Sequence, residues 1–192
     1  CSSDLSEFGS DGFGEQVRGL GDINYDGYGD FVIGAPFANN AKGSIYVYYG
    51  KEDTYTNKST TGNYWGAQLK GGNNFSSAGL HALNTAGDVN GDLMQDILIG
   101  EYQSSSEFTS SGRAYLVLGQ QNFGLTGNVE LNTSADYIFV GTEEQDQVGY
   151  SISPAGDLND DGISEFMIAA NKFNNNNGLT SIFSLQSNTT PN

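Results

Sequence analysis

One sequence unit occurs three times along this chain, and this repeat constrains the fold more than any other feature. The units are marked by three acidic segments, GDINYDGYGDFVIGAP, GDVNGDLMQDILIGEY and GDLNDDGISEFMIAAN. Their first aspartates, Asp22, Asp88 and Asp157, are 66 and 69 residues apart (88 − 22 and 157 − 88). A repeat at this spacing predicts one structural unit that is used three times.

Each unit contains short strands in the same order. A strand rich in glycine and small residues enters the acidic segment, and an apolar strand (FVIGAP, ILIG and FMIAA) leaves it. A variable polar loop follows, then a third strand (GSIYVYYG, GRAYLVLG and GLTSIFSLQ), and in the first two units a fourth (YWGAQLKG and DYIFVG). Four short antiparallel strands per unit predict an all-β chain made of β-propeller-type blades. We expect a single repeat domain with blades at about 11–71, 72–141 and 142–187, followed by a polar tail at 188–192.

The composition agrees with this fold and limits the partners. The 27 glycines favour turns over helices, and a hydrophobic fraction of 36% in 192 residues suits one packed domain. The chain has 23 acidic and 7 basic residues, and its formal charge of −16 would repel nucleic acid and anionic lipid. Bound divalent cations would offset part of this charge. No run of about 18 apolar residues is present, so the sequence predicts no membrane span.

The acidic segments have the spacing D-x-N-x-D-x-x-x-D, with a glutamate at the last position of the third copy. In a tight turn, side chains at positions 1, 3 and 5 point to one centre, the carbonyl at position 7 joins them, and the carboxylate at position 9 closes the site. Several charged oxygen ligands in a flexible loop suit Ca²⁺ better than zinc or a redox metal. The predicted ligands are Asp22, Asn24, Asp26, Tyr28 and Asp30; Asp88, Asn90, Asp92, Met94 and Asp96; and Asp157, Asn159, Asp161, Ile163 and Glu165.

Two other kinds of structure use similar acidic loops. An EF-hand needs a glutamate at position 12 and flanking helices, whereas this chain has Ile33, Ile99 and Ile168 there, which predicts a loop inside a β-hairpin. Alternatively, aspartate and asparagine form hydrogen-bonded turns without any metal. The second loop has Leu93 at position 6, where the others have glycine, so we expect its site to be the weakest or to adopt a different turn.

Catalytic function has little support in the sequence. His81 is the only histidine, and a packed or half-exposed imidazole is its expected state. No serine or cysteine pattern around a base predicts a nucleophilic triad, and the clustered acids are assigned to calcium. Aromatic residues could stack on sugars or contact a protein, but packing between blades is the alternative. These residues are Tyr46, Tyr48, Tyr49, Trp65 and Tyr102.

Short motifs in the first unit resemble the FG-GAP repeat of integrin α-subunit propellers and of many bacterial surface proteins. They are Phe13-Gly14, the Asp22 loop and Gly34-Ala35-Pro36; the second unit has Phe75, Gly79 and IGEY instead, and the third has Val148-Gly149 and IAAN. The resemblance implies an extracellular or cell-surface propeller that binds protein or glycan. It also implies structural calcium loops on one face and recognition loops elsewhere.

The first residue of the chain bears on its location. Cys1, followed by Ser2 and Ser3, resembles the mature start of a bacterial lipoprotein, and a lipid on this sulfur would be the expected membrane contact. An arbitrary start of the sequence and a thiol that pairs between chains are the alternatives. Glycosylation acceptor triplets begin at Asn57, Asn74, Asn132 and Asn188 and are weak evidence for secretion.

Three blades cannot close a ring, which needs at least four. The chain would therefore be part of a longer propeller, would pair with a second copy, or would stack openly. Residues before Phe13 could complete the last blade of a neighbouring chain by strand addition. Two functions follow from the sequence: an adhesion or recognition module with structural calcium, or a self-assembling extracellular subunit of a fibre or appendage, built by strand exchange.

Overall fold

The computed structural model describes residues 10–52, 66–73, 76–105, 108–121 and 126–185. Several residues named above lie outside these ranges, namely Cys1, Asn57, Trp65, Asn74, Phe75 and Asn188, together with most of the segment before Phe13. None of the helices in the described ranges is long and apolar enough to cross a membrane.

Short strands dominate the described chain, and three four-residue segments assigned as helical turns lie between some of them. In chain order they are β1 (Gln16–Gly21), β2 (Asp30–Ala35), α1 (Ala38–Ala41), β3 (Ser44–Tyr48), β4 (Ala67–Lys70), β5 (Leu83–Gly87), β6 (Asp96–Glu101), β7 (Arg113–Val117), β8 (Gly127–Glu130), α2 (Leu131–Ser134), β9 (Tyr137–Val140), β10 (Val148–Gly156), β11 (Glu165–Ala170), α3 (Phe173–Asn176) and β12 (Leu179–Phe183).

The strands form three separate sheets. The first has the order β1-β2-β3-β4-β8, the second β5-β6-β7-β9 and the third β10-β11-β12. Within each repeat the neighbours are antiparallel, as in the predicted blade, and the expected all-β fold with propeller-type blades is confirmed. The third sheet has three strands among the described residues.

One strand was not predicted. β8 belongs to the second repeat, between β7 and β9, but it pairs in parallel with β4 of the first sheet, with Leu69 opposite Val129. Local sequence patterns do not report such a long-range pairing, and the four residues of β8 show no strong alternation. The segment between β7 and β9 therefore reaches back and pairs with the edge of the preceding sheet.

The apolar core lies between successive sheets. The face of β2 that carries Val32 packs against the second sheet in a cluster that includes Leu83 and Ile97. Leu98 points to the opposite face of the second sheet and joins a cluster with Phe166 of the third. Residues from both faces of β6 are buried because this strand lies between two neighbouring sheets, whereas a strand with one solvated face would alternate.

Two of the variable loops contain a backbone that the sequence analysis did not predict. In α1 the residues Asn39, Asn40 and Ala41 have φ values of 55°, 59° and 56°, and three consecutive asparagines in α3 are also positive. These segments are single left-handed turns. Asparagine tolerates this conformation better than most residues, because its short polar side chain can hydrogen-bond locally, which explains its abundance there.

Candidate metal centre

The three acidic loops occupy the same position in their sheets, between the first and second strand of each repeat. The first strand ends at a register shift, and the glycine at this shift has positive φ in each copy, 84° at Gly21, 90° at Gly87 and 73° at Gly156. Glycine adopts this conformation without a steric cost, so the chain can turn out of the sheet directly before the first aspartate.

All three loops lie at one end of the sheets and are hydrogen-bonded to one another. The backbone N–H of Gln95 in the second loop donates to the carbonyl of Asp22 in the first, at 2.9 Å. The N–H of Ser164 in the third loop donates in the same way to the carbonyl of Asp88 in the second, at 2.8 Å. The loops therefore form a continuous row across the three sheets.

The aspartate at position 1 organises each loop by accepting backbone hydrogen bonds. In the first loop, Asp22 Oδ1 accepts from the N–H of Asp26 at 3.2 Å, and Oδ2 accepts from Gly27 at 2.8 Å. Asp88 and Asp157 accept the equivalent pairs in their loops, with distances of 3.1 and 2.8 Å in both. This carboxylate is thus fixed on the inside of the turn in all three copies.

The side chains at positions 3 and 5 continue the pattern. Asn24 Oδ1 accepts from the N–H of Asp26 at 3.2 Å, and Asp26 Oδ1 accepts from the N–H of Tyr28 at 2.8 Å. The second and third loops repeat both bonds. Asn24 Nδ2 also donates to Asp26 Oδ2 at 2.9 Å. The carboxylates and the amide oxygen at positions 1, 3 and 5 thus all accept hydrogen bonds from the backbone of the turn.

The carboxylate at position 9 closes each loop and is buried. Asp30 Oδ2 accepts from the N–H of Ile23, at position 2, at 2.9 Å, and Oδ1 accepts from the N–H of Gly50, which follows β3. Asp96 makes the equivalent bonds to Val89 and Gly119, at 2.8 Å each. The side chain at this position joins the loop to the end of the third strand.

The third loop differs at this position because glutamate is longer by one methylene. Glu165 Oε2 accepts from the N–H of Leu158 at position 2, as in the other loops, but Oε1 accepts from Nδ2 of Asn159 at 3.1 Å. The glutamate therefore binds the asparagine at position 3 of its own loop.

Burial of these carboxylates changes their ionisation. Burial raises the pKa of Asp30 to about 6, and the nearby charges of Asp26 and Asp22 add to the effect. The pKa of Asp96 is raised to about 7, again first by burial and then by the other acids of its loop. The exposed Asp157 shifts the other way, since the hydrogen bond from the N–H of Gly162 lowers its pKa. Burial thus penalises the charged form of the carboxylate at the ninth position of the first two loops.

The second loop adopts the same turn as the other two. Leu93 at position 6 has a φ of 73°, close to the 87° of Gly27 and the 86° of Gly162, and its N–H makes the same bond to Asp88. A leucine in this region is strained, so the hydrogen bonds of the loop impose the conformation. The sequence analysis expected the second loop either to adopt a different turn or to form the weakest metal site. The loop has the same turn as the others, and its weaker metal binding remains a prediction.

The donor set fits a hard cation, although the side chains are not arranged around an ion. Each loop offers three carboxylates, an asparagine amide and a backbone carbonyl, which are the oxygen ligands that Ca²⁺ prefers. Among the described residues, no three His, Cys, Asp or Glu side chains form a group that could hold a metal. In the first loop the amide N–H₂ of Asn24 contacts Asp26, so ion binding would require these two side chains to exchange hydrogen bonds for metal contacts.

A buried glutamate outside the loops was missed from the sequence. Glu101, at the end of β6, accepts from the N–H of Gly72 and the hydroxyl of Ser76 through Oε1, and from the hydroxyl of Tyr115 through Oε2 at 2.6 Å. The repeat contained a signal for this residue. Glu101 occupies the position in the second unit that corresponds to Ala35 of the GAP motif in the first, so an acid replaces a small apolar residue in a buried strand. These bonds fix the connection from the first sheet to the second.

The aromatic residues divide into packed and exposed groups. Tyr46 and Tyr48 are buried, and Tyr48 stacks on Phe31 with ring centroids 4.9 Å apart. The exposed His81 contacts Tyr102 and Tyr150, with centroid distances of 5.4 and 5.9 Å. This group lies at the end of the sheets opposite to the acidic loops, because Tyr102 follows the far end of β6.

Comparison with known proteins agrees with the architecture. The FG-GAP repeat family matches residues 13–48. Integrin alpha pat-2 of Caenorhabditis elegans is 35% identical over 119 residues, covering 62% of this chain and 9% of that protein. Integrin alpha-2 of Mus musculus is 33% identical over 92 residues (46% and 7%), and integrin alpha-V of Gallus gallus is 30% identical over 156 residues (79% and 13%). The matched part is thus a small fraction of the length of these relatives.

The fold and the three loops together define a class of all-β repeat proteins with propeller-type blades. Within this class, the chain belongs to the FG-GAP repeat family in its integrin α-like form, as the resemblance of the first unit indicated.

Proposed function

We propose that this chain is an extracellular or cell-surface recognition module for adhesion to protein or glycan, in which calcium in the acidic loops stabilises the blades. The observation that carries the calcium proposal is the row of three equivalent loops, each with the same inward carboxylate at position 1 and a buried carboxylate at position 9. A role without catalysis and a location outside the cell are parts of the same proposal, and the similarity to integrin α-subunits supports them.

The ligands in each loop would be the residues at positions 1, 3, 5, 7 and 9. Position 7 would use its backbone carbonyl, since Tyr28, Met94 and Ile163 have no suitable side chain. When bound, calcium would supply positive charge next to the buried Asp30 and Asp96, whose charged forms are penalised by burial. The carboxylates would then be held ionised without their mutual repulsion.

Calcium binding would stabilise the contacts between sheets as well as the individual loops. The carbonyls of Asp22 and Asp88 accept hydrogen bonds from the next loop in the row, so a loop held by an ion also holds its neighbour in place. A ligand that binds only the folded state at 100 times its Kd stabilises it by about 2.7 kcal/mol. For a chain of this size we expect each such site to raise Tm by roughly 5–10 °C.

The experiment is thermal unfolding and calorimetric titration of the chain with Ca²⁺, with Mg²⁺ and with chelator. Asp22→Asn should remove one site and its share of the increase in Tm. Glu144→Gln is the matched control, because it removes one exposed negative charge outside the loops and should leave the calcium response unchanged. If Ca²⁺ changed neither the heat of binding nor Tm, the loops would be hydrogen-bonded turns without an ion.

The second candidate function, self-assembly into an extracellular fibre or appendage, is favoured by the edges of the sheets. Within the described residues, β9 and β12 each pair with only one neighbouring strand. Open edges of this kind support strand exchange between chains. Light scattering over a range of concentrations separates the two functions, since an assembling subunit gives a mass that grows with concentration, whereas a recognition module stays discrete.

A further inference from the structure

The third acidic loop differs from the other two in the residue at position 9. Glu165 and its counterparts Asp30 and Asp96 each pair with the glycine that ends the first strand of their own sheet. The three side chains therefore leave the backbone at equivalent points. Because glutamate is longer by one methylene, its carboxylate extends further into its own loop.

The longer side chain changes the donors at position 9. Asp30 and Asp96 each accept one N–H from position 2 of the loop and one from the glycine that follows the third strand. Glu165 keeps the bond to position 2, but within the described ranges no N–H after β12 donates to it. Its other oxygen accepts from Nδ2 of Asn159 at 3.1 Å instead. The asparagine amide of the third loop is thus drawn to position 9.

This change leaves a carboxylate oxygen free at position 5. Asn24 and Asn90 donate their amide N–H to Oδ2 of the aspartate at position 5 of their loops, at 2.9 and 2.8 Å. In the third loop, Asp161 Oδ1 accepts from the N–H of Ile163, and no donor among the described residues contacts its Oδ2. A cation can reach this oxygen directly, whereas in the first two loops it must first displace a charge-assisted hydrogen bond.

The third loop also carries the most negative charge. The first and second loops have three acids each, whereas the third has four, Asp157, Asp160, Asp161 and Glu165. A higher charge of the ligand set raises the affinity of a loop for Ca²⁺. The hydrogen bonds between neighbouring loops end on backbone carbonyls, so they do not cause the differences at positions 3, 5 and 9.

We propose that the third loop has the highest affinity for Ca²⁺ of the three, and that Glu165 sets this affinity by drawing the amide of Asn159 away from Asp161. The inference rests on the proposed function, calcium binding by the acidic loops, and adds the order in which the loops fill. Glu165 acts both as an oxygen ligand and as the residue that positions Asn159. The first two loops fill at higher calcium concentration, since their amides must first leave position 5.

The order of filling can be measured in the wild-type chain by nuclear magnetic resonance during a calcium titration. The reporters are the backbone amides of Gly27, Leu93 and Gly162, because each donates to the first aspartate of its own loop. The signal of Gly162 should change at the lowest calcium concentration. The side-chain amide of Asn159 should shift over the same range, because it contacts Glu165 before the ion binds.

Glu165→Asp tests the glutamate, because it keeps the charge and shortens the side chain to that of the other loops. It is made in a chain carrying Asp22→Asn and Asp88→Asn, in which the third loop alone keeps its first carboxylate. In calorimetric titration it should weaken calcium binding about tenfold, as changes in the groups that orient metal ligands commonly do. Glu144→Asp is the matched control, since it makes the same change at an exposed glutamate outside the loops.

The reverse change, Asp30→Glu, gives the first loop the residue of the third. In a chain carrying Asp88→Asn and Asp157→Asn, it should strengthen calcium binding by the first loop. A gain of affinity cannot result from partial unfolding, so this variant stays informative if Glu165→Asp lowers Tm in chelator.

The outcomes separate this inference from the proposed function. If no loop bound calcium, the proposed function would be wrong, and this inference with it. If the loops bound calcium but Gly27 or Leu93 responded before Gly162, the order of filling would be refuted while the proposed function stood. Unchanged affinity in both Glu165→Asp and Asp30→Glu would show that the residue at position 9 does not set it.

Discussion

Replacing Leu93 by glycine should stabilise the chain, although it removes a large apolar side chain. Leu93 has a φ of 73° and is 68% exposed, so its side chain contributes little burial while its backbone is held in a left-handed conformation. The first and third loops have Gly27 and Gly162 at this position, with the same backbone and the same hydrogen bond to the first aspartate. The substitution therefore gives the second loop the residue that its conformation favours.

The expected gain follows from two opposing terms. A left-handed backbone costs a residue with a Cβ roughly 1–2 kcal/mol, and glycine avoids this cost. Glycine also makes the unfolded chain more flexible, which offsets about 0.5–1 kcal/mol. The net stabilisation should be about 0.5–1 kcal/mol, which corresponds to a rise in Tm of roughly 1–4 °C for a domain of this size.

The assay is urea unfolding in chelator, so that metal binding does not contribute. Leu93→Ala is the control for side-chain loss, because alanine keeps the unfavourable backbone and should not stabilise. Gly162→Leu is the reverse change in the third loop and should destabilise by about 1 kcal/mol, since a Cβ at Gly162 has open space around it and the cost is conformational. If Leu93→Gly lowered stability, or if Leu93→Ala raised it equally, strain at this backbone would not be the cause.

Further changes test individual buried and charged side chains. Leu131→Ala should cost about 2–5 kcal/mol in urea unfolding, because the side chain is fully buried between two sheets; a loss below 1 kcal/mol would mean that α2 is not docked in solution. Lys70→Ala should cost about 0.5 kcal/mol or less, because its ion pair with Glu130 is partly exposed, and 1 M salt should abolish the difference. In chelator, stability should fall as the pH rises from about 4 to 7, because the folded pKa of Asp96, about 7, lies above its ordinary value of 3.8. Asp96→Asn should flatten this profile, and an equally steep profile in the variant would exclude Asp96 as its source.

The strands and the loops could be predicted because the repeat gives three independent copies of the same pattern. Ile33, Ile99 and Ile168 follow the acidic segments at position 12, and each lies in the second strand of its sheet and is buried. The same alignment placed the three loops at equivalent points of their sheets, and the hydrogen bonds of positions 1, 3 and 5 are equivalent in all three. Local spacing is sufficient here because each hairpin is formed by residues that are close in sequence.

Other features depend on contacts that a single unit does not contain. β8 pairs with β4, more than fifty residues earlier in the chain, and a sequence of only four residues carries little signal for such pairing. The left-handed backbone of Leu93 is imposed by the carboxylate of Asp88, whereas its residue type predicts the opposite. Glu101 is buried in an apolar strand because three donors from other elements surround it. In each case tertiary contacts override the local preference.

The two sheet interfaces differ at their outer ends, although the acidic loops at the other end are alike. Between the first and second sheets, Tyr115, Glu101 and Leu131 fill the outer cleft and bind the connecting chain. Between the second and third sheets, the corresponding strand positions are Ser181 and Ala170, whose smaller side chains line a cavity of about 300 Å³. The acidic loops hold the opposite end of both interfaces in the same way, through the same hydrogen bonds. The two interfaces therefore share the hydrogen bonds between their acidic loops and differ at the outer rim, where Tyr115 of the second sheet corresponds to Ser181 of the third.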